Sequence, residues 1–246
     1  MTAATARVDA TAYLGQAGRL ITEIAEHEVE RIDQAAAWSA DVIAEGGILH
    51  VFGSGHSALA AREVFIRAGT LSCIRAFALE PAVGRFERLP GSGLTLFERE
   101  DLRSGEVLFV ISQSGINPMT VEIAVAARER GVRTVAVTSF EHSRASEPRT
   151  HDGRRLLEVV DLAIDTHVPL GDASLPIADS PMKVGPLSTI GAVTVMNSIV
   201  AATTGLLLQR GISPPVRISR NTPLGDEHNR QFVRRYGTRI PELGTL

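Results

Sequence analysis

Two short apolar segments of this chain each lead into a loop of glycines and serines and then into a helix-forming segment. Residues 48–52 (ILHVF) precede the loop 53–57 (GSGHS), and residues 107–111 (VLFVI) precede the loop 112–117 (SQSGIN). Apolar runs of this length are typical of strands buried in a parallel sheet. The carboxyl ends of such strands meet at one edge of the sheet, where ligands bind. The two loops are therefore predicted to lie side by side and to form one binding site.

The rest of the chain continues the alternation of strands and helices. Strands are predicted near residues 48, 73, 107, 133 and 160. Helices are predicted at 9–45 (as one helix or two), 58–68, 118–130, 186–210 and 227–236, with long irregular connections at 81–104 and 170–185. This order predicts an α/β protein with a doubly wound parallel sheet of five strands.

Size and charge narrow the classes of function. The 246 residues suit one large α/β domain. A formal net charge of −3 gives no general attraction to nucleic acid or to an anionic membrane, and an aromatic content of 4% argues against base-stacking platforms. The single cysteine, Cys73, cannot form a disulfide within the chain, which suits a reducing cytosol. We therefore expect no nucleic-acid partner and no membrane partner.

Two segments bear on export and membrane insertion. Residues 1–16 lack the apolar core of a signal peptide, so the protein is predicted to be cytoplasmic. Residues 184–209 carry no charge and are long enough to span a bilayer. They also include polar residues such as Thr194, Asn197 and Ser198, which favour a helix buried in a protein core.

The composition of the two loops suits a phosphate group. A helix N-terminus presents unpaired N–H groups and a partial positive charge, and glycines let the backbone approach an anion closely. Four serine hydroxyls, of Ser54, Ser57, Ser112 and Ser114, add donors, so one phosphate could be held without much Lys or Arg. The alternative is that these residues serve only as turn residues and helix caps. Asn117 is predicted to cap the helix at 118–130.

A dinucleotide is the competing ligand, because the first loop also reads G-x-G-x-x-A from Gly53 to Ala58. In that fingerprint a carboxylate about 20 residues further on holds the ribose. Glu80 lies 27 residues past Gly53, and the second loop would have no role. A phosphate held between the two loops explains both, and a Rossmann oxidoreductase is kept as the weaker alternative.

The chain resembles the SIS (sugar isomerase) domain family of phosphosugar-binding proteins over nearly its whole length. The resemblance rests on the motifs ILHVFGSGHS, ISQSGINPMTVEIAVAARERGVRTVAVTS and KVGPLSTIGAVTVMN. It is strongest to a bacterial SIS branch with segments like FALEP, HDGRRLLEVVDLAID and GDEHNR, and more distant to phosphoheptose isomerase and N-acetylmuramic acid 6-phosphate etherase. It implies a single flavodoxin-like αβα domain over 1–246, with an N-terminal helical extension to about 45 and a tail from about 212. It also implies homodimers, or dimers of dimers.

The resemblance implies that both loops contact the phosphate. The binding residues predicted on this basis are Gly53, Ser54, Gly55, His56, Ser57, Ser112, Gln113, Ser114, Gly115 and Asn117. The second loop departs from the common Ser-Gly-Thr/Glu sequence pattern of the family at Gln113 and at Ile116-Asn117.

Sugar-phosphate isomerisation or elimination needs an acid/base group. The candidates are Glu80 at the mouth of the second strand, Glu63 on the helix after the first loop, and His228 in the tail, which could reach a partner subunit. Glu63 and His228 fit solvent-exposed surface positions equally well. No cofactor and no metal are predicted, since the histidines show no ligand spacing. The leading hypothesis is an isomerase or lyase, and a non-catalytic phosphosugar sensor is the alternative.

Overall fold

A computed structural model describes residues 8–79 and 85–244. Its five main strands are β1 (Leu49–Ser54), β2 (Ile74–Leu79), β3 (Val107–Ile111), β4 (Arg133–Thr138) and β5 (Leu162–Asp165). They form one parallel sheet in the order β2-β1-β3-β4-β5. The predicted five-stranded parallel sheet is thus confirmed. Its order is that of flavodoxin-like folds and differs from the Rossmann order.

Helices cover both faces of this sheet. They are α1 (Ala10–His27), α2 (Val29–Ala44), α3 (Ser57–Glu63), α4 (Ser92–Phe97), α5 (Pro118–Glu129), α6 (Phe140–Ala145), α7 (Leu156–Val159), α8 (Ser188–Gln209) and α9 (Gly225–Tyr236). Short 3₁₀ turns lie at Phe86–Arg88 and Pro241–Gly244.

The alternation of side chains along the central strand β3 creates two hydrophobic cores. Val107, Phe109 and Ile111 pack into a core shared with α1, α2, α3, α8 and α9. Leu108 and Val110 point the other way, into a core shared with α4, α5 and α7. Because successive strand residues face opposite sides, a fully apolar strand is needed to serve both cores. The result is the predicted three-layer αβα sandwich.

Two connections differ from the sequence-based prediction. Residues 170–185, predicted to be a loop, contain an antiparallel hairpin of β6 (Ala173–Pro176) and β7 (Lys183–Pro186). Its prolines fall at strand ends, where a missing N–H does not break the ladder. The segment 81–104, predicted to be irregular, includes α4 in its described part.

Helix α8 explains the long uncharged segment. By length and composition it could cross a membrane. In the fold its residues Ala192, Val195, Ile199 and Leu207 are buried in the core beside α2, as predicted for a core helix. The cytoplasmic location stays a prediction.

A buried carboxylate organises the amino-terminal edge of the sheet. Glu106, 5% exposed, accepts hydrogen bonds from the Ile48 N–H at 3.0 Å and from His50 Nε2 at 2.9 Å. The guanidinium of Arg239 donates to both of its oxygens. Burial raises the pKa of Glu106, but the bonds from His50, Arg239 and Ile48 outweigh burial and lower the pKa from 4.5 to about 2. This charge therefore ties the tail to β1 and β3.

Replacing this carboxylate should destabilise the fold. We expect Glu106→Gln to lower the free energy of unfolding at pH 7 by about 3 kcal/mol, the scale for breaking a buried ion pair. Since the folded pKa lies below the unfolded one, the stabilisation is complete above about pH 4.5 and is lost as the pH falls toward 2. The variant should therefore lose less stability than wild type on acidification. Urea unfolding from pH 7 to 3 measures both effects.

Glu98→Gln is the matched control, because Glu98 is exposed and pairs with Arg130 at the surface. It should change stability by less than about 1 kcal/mol. Equal stability of Glu106→Gln and Glu98→Gln would contradict the role given to Glu106.

Candidate functional site

The pairing of β1 with β3 brings the two serine loops together. Gly53 is level with Ile111 in this parallel pair, so both loops leave the sheet at the same height and the same edge. A cleft of about 950 Å³ opens there. It is lined by Ser54, Gly55, His56, Ser57, Arg85, Phe86, Glu87, Arg88, Ser112, Gln113, Ser114, Ile116, Asn117, His142, Ser146, Arg149, Asp172 and Ser188.

The shape of the first loop depends on its glycines. A Cβ on Gly53 would lie 2.4 Å from the backbone oxygen of Ser57, which no side chain tolerates. Gly55 has φ of +58°, in the left-handed region that favours glycine. Because of this tight turn, Ser54, His56 and Ser57 all line the cleft.

The second loop is fixed by hydrogen bonds to its surroundings. Ser112 Oγ accepts from the Gly115 N–H at 3.2 Å. Gln113 accepts from Thr166 Oγ1 at 2.7 Å and donates to the Ser188 oxygen at 3.4 Å, which ties the loop to the ends of β5 and α8. Eight of the ten predicted binding residues line the cleft, whereas Gly53 and Gly115 shape the loops.

Asn117 does not act as the predicted side-chain cap of α5, although it occupies the N-cap position. Its Nδ2 donates to Glu87 Oε1 at 2.7 Å, and its Oδ1 accepts from Arg149 Nη1 at 2.8 Å. Glu87 also accepts a hydrogen bond from the hydroxyl of Ser54. One carboxylate therefore joins the first loop to the second.

Three arginines line the cleft, contrary to the expectation of a site with few cationic side chains. They are Arg85, Arg88 and Arg149. Within the described ranges none of the three has a carboxylate within 4.0 Å. Their charges are thus free to act on an anion in the cleft. Sequence reasoning missed them because they lie in irregular segments far from both loops.

His142 is a further residue that sequence reasoning set aside. It lines the cleft from α6, and its Nδ1 is buried without a hydrogen-bond partner among the described residues. Burial lowers the pKa of His142, against the opposite effect of the Asp172 and Glu141 carboxylates. An imidazole whose pKa is lowered can accept a proton at one nitrogen and donate a hydrogen bond from the other.

The side chain of Asp172 caps the N-terminus of α8, at the wall of the cleft. Its carboxylate accepts from the N–H groups of Leu187 and Ser188 at 2.9 and 2.7 Å and from Ser188 Oγ at 2.8 Å. The partial positive charge of this helix end is therefore already satisfied. The loops 53–57 and 112–117, together with the arginines, remain the places where an anion can bind.

The two predicted catalytic residues that the structure describes, Glu63 and His228, lie outside this cleft. Glu80 lies outside the described residues. Glu63 is the last residue of α3, lines no part of the cleft and pairs with Arg67. His228 lies on α9, where its Nε2 is 2.9 Å from the Val216 oxygen. In the parts of the chain that the structure describes, no group of three His, Cys, Asp or Glu side chains could hold a metal ion.

Comparison with known proteins decides the family. The SIS domain family matches residues 12–139. The chain belongs to the SIS domain family. A UPF0309 protein of Geobacillus thermodenitrificans is 36% identical over 239 residues, which covers 94% of this chain and 96% of the relative. A UPF0309 protein of Geobacillus kaustophilus is 37% identical over 228 residues, covering 89% and 91%.

Solved structures share the fold of this SIS domain at low sequence identity. Phosphoheptose isomerase of Neisseria gonorrhoeae has a TM-score of 0.55 at 19% identity, covering 79% of this chain and 96% of that one. The sugar isomerase domain of an RpiR transcription factor from Sphaerobacter thermophilus has a TM-score of 0.51 at 20% identity, covering 81% and 92%. The NanR protein of Vibrio vulnificus, solved with ManNAc-6P, has a TM-score of 0.50 at 13% identity, covering 82% and 64%. The SIS fold thus occurs in enzymes and in regulators.

Proposed function

We propose that this protein binds a phosphorylated sugar or amino sugar, with the phosphate held by the loops 53–57 and 112–117. The observation that carries the proposal is that both serine loops line one cleft. Ser57 and Ser114 supply hydroxyl donors there, and Arg85 and Arg88 supply positive charge. Neighbours of the same fold support the ligand class, since one was solved with ManNAc-6P and another is a phosphoheptose isomerase.

Other polar side chains that line the cleft suit sugar hydroxyls. Glu87, Asn117 and Arg149 form a continuous chain of hydrogen bonds with fixed donor and acceptor directions. A hydroxyl can donate to Glu87 and accept from Arg149 in the same arrangement. We therefore assign the sugar to this side of the cleft and the phosphate to the serine side.

Binding should require the phosphate. We expect 6-phosphosugars to raise the melting temperature and the corresponding free sugars to have no effect, because only the former carry the anion. Ser112→Ala with Ser114→Ala should weaken binding by about 1–3 kcal/mol, the scale for hydrogen bonds to a charged group. Calorimetric titration measures this loss.

The control is Ser180→Ala, a serine between β6 and β7 that lines no part of the cleft. It should keep the wild-type affinity. Equal stabilisation by free and phosphorylated sugars, or full affinity in the double variant, would contradict the assignment.

We further propose that the bound sugar phosphate is isomerised. Aldose–ketose isomerisation needs a base that removes the C2 proton. It also needs an acid/base group that moves a proton between the carbonyl and hydroxyl oxygens of the sugar. Glu87 is the described carboxylate that contacts both loops, and His142 is the imidazole with a lowered pKa in the same cleft. Glu80 stays a candidate base from the sequence, and His228 stays a candidate acid/base supplied by a second subunit.

Loss of the base should abolish exchange of the C2 proton. We expect Glu87→Gln to lower the rate of exchange with deuterated water by about 10²–10⁴ while phosphosugar affinity is largely kept. Glu63→Gln should stay near the wild-type rate, since Glu63 pairs with Arg67 outside the cleft. Proton NMR in deuterated water follows the exchange.

Glu80→Gln is the parallel variant that tests the sequence-based candidate. If it alone abolishes exchange, Glu80 is the base and Glu87 is not. If no sugar phosphate in a broad panel exchanges, the protein is a phosphosugar sensor, as the fold it shares with an RpiR transcription factor would suit.

We propose that the protein forms homodimers, or dimers of dimers, through the outer face of α1. Leu14 and Ile21 lie two turns apart on this helix and are 68% and 45% exposed. Burial of an exposed apolar stripe against a second copy of the chain is favourable.

Charge in this stripe should prevent association. We expect wild type to sediment as a dimer or tetramer at micromolar concentration and Leu14→Glu with Ile21→Glu to sediment as a monomer. Leu94→Glu, which charges a leucine on α4 that is 48% exposed, should leave the assembly unchanged. A monomeric wild type would refute the proposal.

A further inference from the structure

Arg217 occupies an unusual place in the fold. It lies in the segment between α8 and α9, and its backbone pairs with the chain after α3. The Arg217 N–H donates to the Thr70 oxygen at 2.9 Å, and the Gly69 N–H donates to the Arg217 oxygen at 2.9 Å. The side chain is held inside the protein, with an exposed fraction of only 4%.

Among the described residues this buried guanidinium forms no ion pair. Across residues 8–79 and 85–244 no carboxylate lies within 4.0 Å of it, and its Nη1 is buried without an acceptor. The other largely buried arginines are paired: Arg239 with Glu106, and Arg75 with Glu100 at 2.9 Å. An isolated buried cation is strongly destabilising, and arginine does not escape this cost by losing its proton.

A second positive charge lies beside the first. Burial lowers the pKa of Arg217, and the charge of Arg220 lowers it further. Arg220 itself pairs with an exposed carboxylate, that of Asp226, at 3.4 Å. Both arginines line a pocket of about 210 Å³ together with Ile66, Ala68, Ile218 and Ser219. No acidic residue lines this pocket, so the pocket carries a net positive charge.

We propose that this pocket binds a small oxyanion of the phosphate class, with Arg217 as its principal ligand. A guanidinium offers paired N–H donors that match two oxygens of a phosphate. The volume is below the range of about 300–1,000 Å³ found for drug-sized ligands, so it suits inorganic phosphate or one terminal phosphate group. The pocket shares no residue with the cleft, so it would be a second anion site, separate from the proposed phosphosugar site.

The test uses inorganic phosphate as the probe and Ser112→Ala/Ser114→Ala as the background, which weakens any phosphate site in the cleft. We expect phosphate to bind this background protein, in sodium chloride of matched ionic strength. Adding Arg217→Met should weaken binding at least tenfold. The same substitution should raise the melting temperature in phosphate-free buffer, because it removes an unpaired buried charge. Calorimetry and thermal unfolding give the two readouts.

Arg234→Gln is the matched control, an exposed arginine on α9 outside the pocket, and should leave phosphate affinity unchanged. Arg217→Lys keeps the charge without the paired donors and should bind phosphate with intermediate affinity, which keeps the test usable if Arg217→Met does not fold. Unchanged phosphate affinity in both Arg217 variants would overturn the proposal. Loss of self-association in Arg217→Met with no effect on phosphate would also overturn it, because a carboxylate of a second copy would then neutralise Arg217.

Discussion

The parallel pairing of β1 with β3 is the constraint on which the cleft depends. Because Gly53 is level with Ile111, the two strands end at the same height, and each is followed by a short loop that leads into a helix. The first turn is possible because residue 53 has no Cβ to meet the Ser57 backbone. Once both turns are made, Ser54 and Asn117 lie close enough to share one carboxylate, that of Glu87. A shift of one residue in this pair would separate the serines that the proposed function brings together.

Ionisable groups divide between the two edges of the sheet. At the amino-terminal edge, the Glu106 carboxylate accepts hydrogen bonds from β1, from the residue before it and from the tail, and its charge is neutralised by Arg239. At the carboxyl edge, Arg85, Arg88 and Arg149 form no ion pair with a carboxylate among the described residues. Satisfied charge thus supports the fold, whereas unsatisfied charge marks places where ligands can bind. Arg217 belongs to the second kind although it lies away from the cleft.

Local patterns in the sequence predict the sheet and the two loops. An apolar run followed by glycines and serines determines where β1 and β3 end, and Pro118 marks the start of α5. The hairpin of β6 and β7 was missed because its prolines argue against strands in any local reading. Glu87, His142 and Arg149 were missed for a different reason. They reach the cleft through tertiary contacts from segments without a motif, and Asn117 turns from its expected capping role to meet two of them.

A crystal structure with the sugar phosphate that stabilises the protein most would test the central claim most directly. The account predicts phosphate oxygens within about 2.5–3.0 Å of serine hydroxyls from both loops, and the sugar beside Glu87 and Arg149. A phosphate bound outside this cleft, or one that contacts neither Ser112 nor Ser114, would contradict it.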